Sequence, residues 1–192
     1  MYTFYALLNR MKLIERWSLM RSTTKEDLMQ HAAHVAIIGQ ALGIIRNEYF
    51  GGNVDTDKIA ALALYHDTAE VVSGDLPTPI KYYSPKIKSA YSEIESVINK
   101  KLLSSLPPEM AVKYSEYLQP DESTMEYKIM KVADKLSAYI KCIDERLSGN
   151  KEFDTAFNRL QKMLDGLMDE HPELKYFLDN FGEGYGQQLD IL

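Results

Sequence analysis

Four side chains with metal-ligating atoms stand at separate points of the chain: His31, the adjacent pair His66-Asp67, and Asp134. Two neutral imidazoles and two carboxylates balance one divalent cation and leave coordination positions for water or an anionic oxygen. No cysteine belongs to the set, which excludes a Cys-type structural zinc site. The mixed nitrogen and oxygen donors suit Co, Mn, Zn, Fe or Ni about equally. His66-Asp67 follows an apolar run from Ile59 to Tyr65, where a carboxylate without a partner is costly. Neighbours on a helix point about 100° apart, so both can share one ion only where the helix end lets them lean together. Glu70 falls one turn along the same face, placed to handle a proton on a nearby water rather than to ligate. His34, three residues past His31, is a geometrically acceptable alternative ligand.

These groups need helices to carry them. Apolar residues at Phe4, Leu7, Leu8, Met11, Ile14 and Trp17 recur at helical spacing and predict a first helix ending near Ser18. Thr23 with Glu26, or Thr24 with Asp27, offers a cap for a second helix that runs through His31 to Gly51-Gly52. Asp55 or Thr56 caps a third, carrying His66-Asp67 and stopping around Ser73-Gly74. Asp75 to Tyr83 holds two prolines and is expected as a loop. Ser84-Pro85 starts a helix through Leu102, and Pro107-Pro108 a shorter one. Ser123 with Glu126 forms a capping-box pattern for a helix centred on Asp134 and ending at Gly149. Helical periodicity continues from Phe153 to Met168, and Pro172 opens a last helix to Phe181-Gly182. His171 reads as a surface turn residue. Without β-type alternation or internal repeats, the fold class is all-α, with residues 1–192 forming a single domain.

A net charge of −6 argues against binding a nucleic-acid polymer, which normally rests on a basic surface. A small anion is still allowed, because a metal and a few placed cations act locally. Cys142 is the only cysteine, so no intramolecular disulfide forms, and a packed thiol is the simplest reading. Asn9, Arg10 and Lys12 interrupt the apolar N-terminus before a secretory core or membrane span is reached. The expected setting is cytoplasmic, with no membrane partner.

Three segments carry a family likeness: Tyr65-His66-Asp67-Thr68-Ala69-Glu70-Val71, Gly74-Asp75-Leu76-Pro77-Thr78-Pro79-Ile80-Lys81, and Lys131-Val132-Ala133-Asp134-Lys135-Leu136. With His31 upstream, they resemble the HD-domain phosphohydrolases, closest to the bacterial 5'-deoxynucleotidases, from about Arg16 through Glu145. The resemblance implies an HD-domain helical bundle that hydrolyses deoxyribonucleoside 5'-monophosphates to deoxynucleoside and phosphate. It implies His31, His66, Asp67 and Asp134 as ligands of one divalent transition metal, and Glu70 as the catalytic proton carrier. His31 is preferred to His34 because Val35-Ala36 follows it at the family's spacing. Arg16 and Trp17 resemble the family's phosphate and sugar contacts, where a guanidinium forks onto phosphate and an indole leaves no room for a 2'-hydroxyl. Asp75 is expected on the sugar, with Thr78 and Lys81 near the phosphate; no residue offers clear base reading, so tolerance among bases is expected. A homodimer is implied by the family alone. Gln30-His31-Ala32 departs from the Glu-His-Ser common in the family and bears on the tuning of His31 more than on metal binding. Rival readings are another HD activity (dNTP triphosphohydrolase, cyclic-nucleotide phosphodiesterase or (p)ppGpp hydrolase) and a non-catalytic nucleotide-binding protein stapled by metal.

Overall fold

The computed structural model describes residues 1–81, 83–188 and 190, with Thr78 described by its backbone alone. Helix α1 (Phe4–Leu8) passes into a 3-10 turn over Asn9–Leu13 and ends there, short of the predicted Ser18. The apolar residues of this run serve two separate clusters, and one straight helix cannot reach both. Phe4, Met11 and Ile14 pack with Leu28 and Leu102, whereas Trp17 packs with Phe153 and Cys142. Glu15 pairs with Asp27 in an isolated antiparallel bridge, closing residues 16–26 into a looped excursion.

Asp27, not Thr23 or Thr24, caps α2 (Leu28–Phe50), in a reciprocal capping box with Gln30. Val35, Ile38 and Leu42 on α2 form the main core with Ile59 and Leu62 of α3 (Thr56–Tyr65) and with residues of a later long helix. Gly39 and Gly43 make this approach possible: a Cβ at either would stand 2.9 Å or 2.7 Å from Ile59 side-chain atoms. Among the described helices α2 alone is long and apolar enough to cross a membrane, but 56% of that stretch is buried inside the bundle. Its apolar character is that of a core helix.

The predicted third helix breaks after Tyr65. Residues 66–69 form turns before a single helical turn, α4 (Glu70–Ser73). Where a loop was expected, Thr78–Lys81 forms one turn, α5. The prolines do not prevent it, because Pro77 precedes the turn and Pro79 lies in it, where an absent N–H costs nothing. Ile80 and Lys81 donate their N–H groups to the Pro77 carbonyl.

Ser84 caps α6 (Pro85–Ser104), and Pro108 opens α7 (Pro108–Leu118), as expected. Helix α8 (Met125–Leu147) is capped by Thr124 rather than Ser123, whose hydroxyl donates to Asp121 instead. Glu126 does not complete a box; its carboxylate accepts from the Asp55 N–H. Helix α9 (Asp154–Asp165) and α10 (Pro172–Phe181) pack on α8 and α2 respectively. His171, expected at the surface, is buried, with Nδ1 2.8 Å from Glu173 Oε1; Glu173 also accepts from Arg46. Cys142 is a fully buried free thiol, its pKa pushed up to about 12 by burial, which makes it inert. Among the described residues the chain is an all-α bundle with no strand beyond the Glu15–Asp27 bridge.

Candidate active site

Helix α2, the turns after α3, and α8 meet at one point. There the structure brings together His31, His66, Asp67 and Asp134. His31 Nε2 lies 3.1 Å from Asp134 Oδ1 and 3.9 Å from Asp67 Oδ2. His66 Nε2 lies 3.0 Å from Asp67 Oδ2 and 3.8 Å from Asp134 Oδ1. Because α3 ends at Tyr65, His66 and Asp67 stand on turn backbone, which frees both to lean inward.

The chemistry of this cradle fits a cation. His66 Nδ1 stands 2.7 Å from the Ala63 carbonyl, so it carries the proton and leaves Nε2 as a lone pair. That nitrogen is buried and makes no hydrogen bond of acceptable geometry. Two half-buried carboxylates packed this closely also require positive charge beside them. Burial opposes charge on both, yet His66 holds Asp67 below the ordinary carboxylate range, and Lys131 and the two histidines do the same for Asp134. Lys131 Nζ is 2.9 Å from Asp134 Oδ2, and Arg16 Nη1 is 3.4 Å from Asp67 Oδ2. Against its own burial, His66 is raised to about 10 by Asp67 and Asp134. A proton and a divalent cation thus compete for the same lone pair.

Glu70 opens α4 and is only 4% exposed, with Oε2 lacking any hydrogen-bond partner. Burial raises its pKa to about 9, helped by Asp67 and Asp75 and opposed by Lys81 and Arg16. Burial therefore favours its protonated form, and it stands at the cradle's edge.

A cavity of about 420 Å³ opens from Asp67, Asp134 and Glu70 toward Arg16, Trp17 and Asp75. Glu26 organises its far side: Oε2 accepts from Arg16 Nε at 3.3 Å and from Trp17 Nε1 at 3.2 Å. Trp17 holds a left-handed φ of 57°, rare for a bulky residue. Its carbonyl accepts from Met20, its N–H donates to the Asp75 carboxylate, and its ring lies 5.3 Å from that of Phe153. Lys81 lines the cavity while pairing with Glu95 at 3.2 Å. The Thr78 side chain lies outside the described residues.

The model of the YfbR-like 5'-deoxynucleotidase family matches residues 3–185. The 5'-deoxynucleotidase of Photorhabdus laumondii is 46% identical over 189 residues, covering 97% of this chain and 94% of that one. That of Vibrio vulnificus is 43% identical over 190 residues, with 97% and 96% covered. The chain belongs to the YfbR-like 5'-deoxynucleotidase family. Its fold is that of an HD-domain phosphohydrolase from Listeria innocua, with a TM-score of 0.84 at 24% identity over 98% of this chain and 90% of that one. A cyanophage S-2L HD phosphohydrolase, bound to dA and one catalytic Zn²⁺, aligns with a TM-score of 0.64 at 20% identity, covering 91% and 93%.

Within this YfbR-like chain, four contributors escaped the sequence reading. Ser137, one turn after Asp134, has Oγ 3.3 Å from His31 Nδ1 and 3.0 Å from His34 Nδ1. With His31 Nε2 as a lone-pair donor, its Nδ1–H donates to Ser137, whose hydroxyl donates to His34. His34 is thereby occupied in fixing the His31 tautomer. Gln30, one of the family departures, is spent on the α2 capping box and not on His31. Glu26 and Lys131 carried no signal beyond their proximity to motif residues. Lys135 also lines the cavity, its pKa lowered by burial and by Lys131.

Proposed function

We propose that this protein hydrolyses deoxyribonucleoside 5'-monophosphates to deoxynucleoside and inorganic phosphate, using one divalent transition metal at His31, His66, Asp67 and Asp134. The observation that carries the reading is the convergence of two imidazole lone pairs and two carboxylates beside a protonated Glu70, at the mouth of a cavity bearing Arg16 and Trp17. When bound, the metal supplies Lewis-acid polarisation of the phosphoryl group and lowers the pKa of water. In the reaction a water O–P bond forms and the P–O5' bond breaks. Glu70 donates its proton to the departing O5' and is reprotonated by the attacking water. Arg16 and Lys131 face the phosphate, and Trp17 and Asp75 hold the sugar, with the indole where a 2'-hydroxyl would project. Lys81 and Thr78 are assigned to the phosphate end.

The metal is one of Co, Mn, Zn, Fe or Ni; the Zn²⁺ of the cyanophage neighbour makes zinc a natural first choice. A single functional domain over residues 1–192 is supported by the core shared among α2, α3, α8, α9 and α10. A cytoplasmic setting is supported by the lone, buried Cys142. A homodimer is supported by Ile37 and Ile44, exposed on one face of α2. The test is phosphate release from 5'-dNMPs, 5'-rNMPs, 3'-dNMPs, dNTPs, cyclic nucleotides and (p)ppGpp by chelated protein reloaded with single metals. Metal-dependent release from 5'-dNMPs above all others is expected. Preference for a triphosphate, cyclic or (p)ppGpp substrate would replace the reading, and metal-dependent stability without turnover would favour a binding protein.

A further inference from the structure

One face of α8 carries more than the metal cradle. Asp134, Ser137, Lys141 and Glu145 follow one another at spacings of three and four residues, so their side chains share a single face of the helix. The last two form an ion pair, with Lys141 Nζ 2.6 Å from Glu145 Oε1, and are 8% and 0% exposed. Neither lines the catalytic cavity. A buried ion pair is costly unless further hydrogen bonds satisfy both charges. Here those bonds come from the tip of the 16–26 excursion. Glu145 accepts from Thr23 N and Thr23 Oγ1, both at 2.8 Å, and from Thr24 N at 3.2 Å, while Lys141 donates to the Thr24 carbonyl. Asn150 Nδ2 joins the same cluster, donating to Glu145 at 2.8 Å and to the Arg21 carbonyl at 2.6 Å.

We infer that Lys141 and Glu145 are positioning residues for the substrate: they fix the excursion to α8 so that Arg16 and Trp17 keep a set distance from the metal cradle, and so set the preference for deoxyribonucleotides over ribonucleotides. The inference rests on the reading of Trp17 given above. Residues 16–26 form no helix or strand, and a backbone without a ladder must find its hydrogen-bond partners elsewhere. At the stem the Arg16 N–H donates to the Glu26 carbonyl at 2.9 Å; at the tip the buried pair takes backbone donors and an acceptor at once. Trp17 lies between these two fixed ends. A side-chain route leads the same way, since Lys141 Nζ stands 6.0 Å from the centroid of the Phe153 ring, which is 5.3 Å from that of Trp17. At about 1.5 Å per residue, Asp134 and Glu145 are about 16 Å apart along α8, which makes the helix a rigid spacer between metal ligand and anchored tip. Apolar residues of similar volume commonly replace a buried ion pair without loss of stability, but they cannot grip backbone N–H and C=O groups. Stability alone therefore does not call for this pair. A 2'-hydroxyl is excluded only while the indole keeps its place, whereas the cradle and Glu70 do not depend on the excursion.

The experiment compares wild type with Lys141→Met/Glu145→Leu, which removes the pair but keeps its bulk, and with Glu145→Gln, which keeps one acceptor oxygen. On the metal-loaded enzyme, kcat and KM are measured for a 5'-dNMP and the 5'-rNMP of the same base. Tm and the emission of Trp17, the only tryptophan, are recorded on the same samples. A misplacement of about 1 Å can cost about a hundredfold; with the stem still closed, the double variant is expected to lower the dNMP-to-rNMP ratio of kcat/KM about tenfold, and Glu145→Gln about threefold. The loss should fall chiefly on KM for the dNMP and be accompanied by a red shift of Trp17 emission. A pair that merely stabilised the bundle would lower Tm and scale both substrates alike, so an unchanged ratio in a folded variant overturns the inference while leaving the reaction intact. Should the double variant fail to fold, Glu145→Gln carries the same comparison. A wild type that turns over both nucleotides alike overturns the discrimination together with the reading of Trp17, and no turnover of either overturns the reaction. In both cases unchanged emission in the variants overturns the positioning as well, and a red shift upholds it.

Discussion

Removing the Glu26 carboxylate tests whether the geometry of Arg16 and Trp17 is built or incidental. Glu26 Oε2 accepts from both side chains, and the Glu26 and Arg16 side chains are only 14% and 13% exposed. Glu26→Ala leaves a guanidinium N–H and an indole N–H short of an acceptor. Hydrogen bonds to a charged group contribute about 1.5–3 kcal/mol each, and separations of 3.2–3.3 Å place both toward the weak end. A combined loss of about 3 kcal/mol follows, which corresponds to about 150-fold in kcat/KM if the pair's order is needed throughout the reaction. The loss should fall mainly on KM, because neither Arg16 nor Trp17 transfers the proton. Glu26→Gln keeps one acceptor oxygen without the charge and should fall between wild type and alanine. Trp17 is the only tryptophan, so its emission reports the same event directly: a red shift and faster quenching in Glu26→Ala, partly restored in Glu26→Gln. Steady-state kinetics on a 5'-dNMP, with emission spectra of the same samples, is the assay. Unchanged kcat/KM and unchanged emission in Glu26→Ala would refute the reasoning, since Trp17 would then hold its left-handed backbone and its place without Glu26.

Two further outcomes follow from the bundle itself. Gly39→Ala places a Cβ against Ile59 Cγ2, which cannot rotate away from a fully buried β-branched residue; overpacking of about 1–3 kcal/mol, offset by about 1 kcal/mol of helix propensity, predicts a fall in Tm of a few degrees by calorimetry, and an unchanged Tm would show that α2 and α3 tolerate separation. Glu145 is buried, accepts from Thr23 N and Oγ1, Thr24 N, Asn150 and Lys141, and has its pKa lowered to about 2. Since the folded value lies below the unfolded one of about 4.3, its stabilisation is complete above that pH and is lost as pH falls through about 2; Glu145→Gln should lower Tm at pH 7, and its difference from wild type should shrink below about pH 4 and vanish only as pH falls to about 2, so a difference that stays constant through that range would exclude an ionised Glu145 as the source.

Most of the bundle was legible in the chain because its helices announce their own ends. Ser84-Pro85, Pro108, Pro172 and Gly149 act locally, and the structure uses each where the sequence put it. The failures share a physical cause: a side chain with a stronger distant partner abandons its local role. Thr23 and Thr24 look like caps but donate their N–H groups to Glu145, more than a hundred residues on. Glu126 looks like half of a capping box but serves Asp55. His171 looks exposed beside Pro172 but pairs with Glu173 in the interior. The first helix was over-extended because periodicity shows that Ile14 and Trp17 are apolar without showing that they enter different clusters. In the site, residue types and family likeness named the groups that converge, while Ser137 and Glu26 could not be found, since a serine or glutamate that orients another side chain has no spacing of its own.

The same distant pairing explains how an acidic chain holds a dianionic phosphate. A net charge of −6 repels such a substrate at long range, but that field is screened beyond about 8–10 Å at physiological salt. What the phosphate meets is the local set. Arg16, Lys81, Lys131 and Lys135 line the catalytic cavity, and a divalent cation at the cradle would add to them. Against these stand Asp67, Asp134 and Asp75, the first two proposed above as ligands of the cation. Glu70, the fourth acid, has its pKa raised to about 9, chiefly by burial, which limits the negative charge it adds. On the proposed mechanism, a Glu70 ionised in the resting state would both repel the phosphate and lack the proton assigned to the departing O5'. Burial of this one carboxyl therefore serves binding and chemistry at once. It goes with the break after Tyr65, since the turns over residues 66–69 separate α3 from the new helical turn that Glu70 opens at the cavity wall.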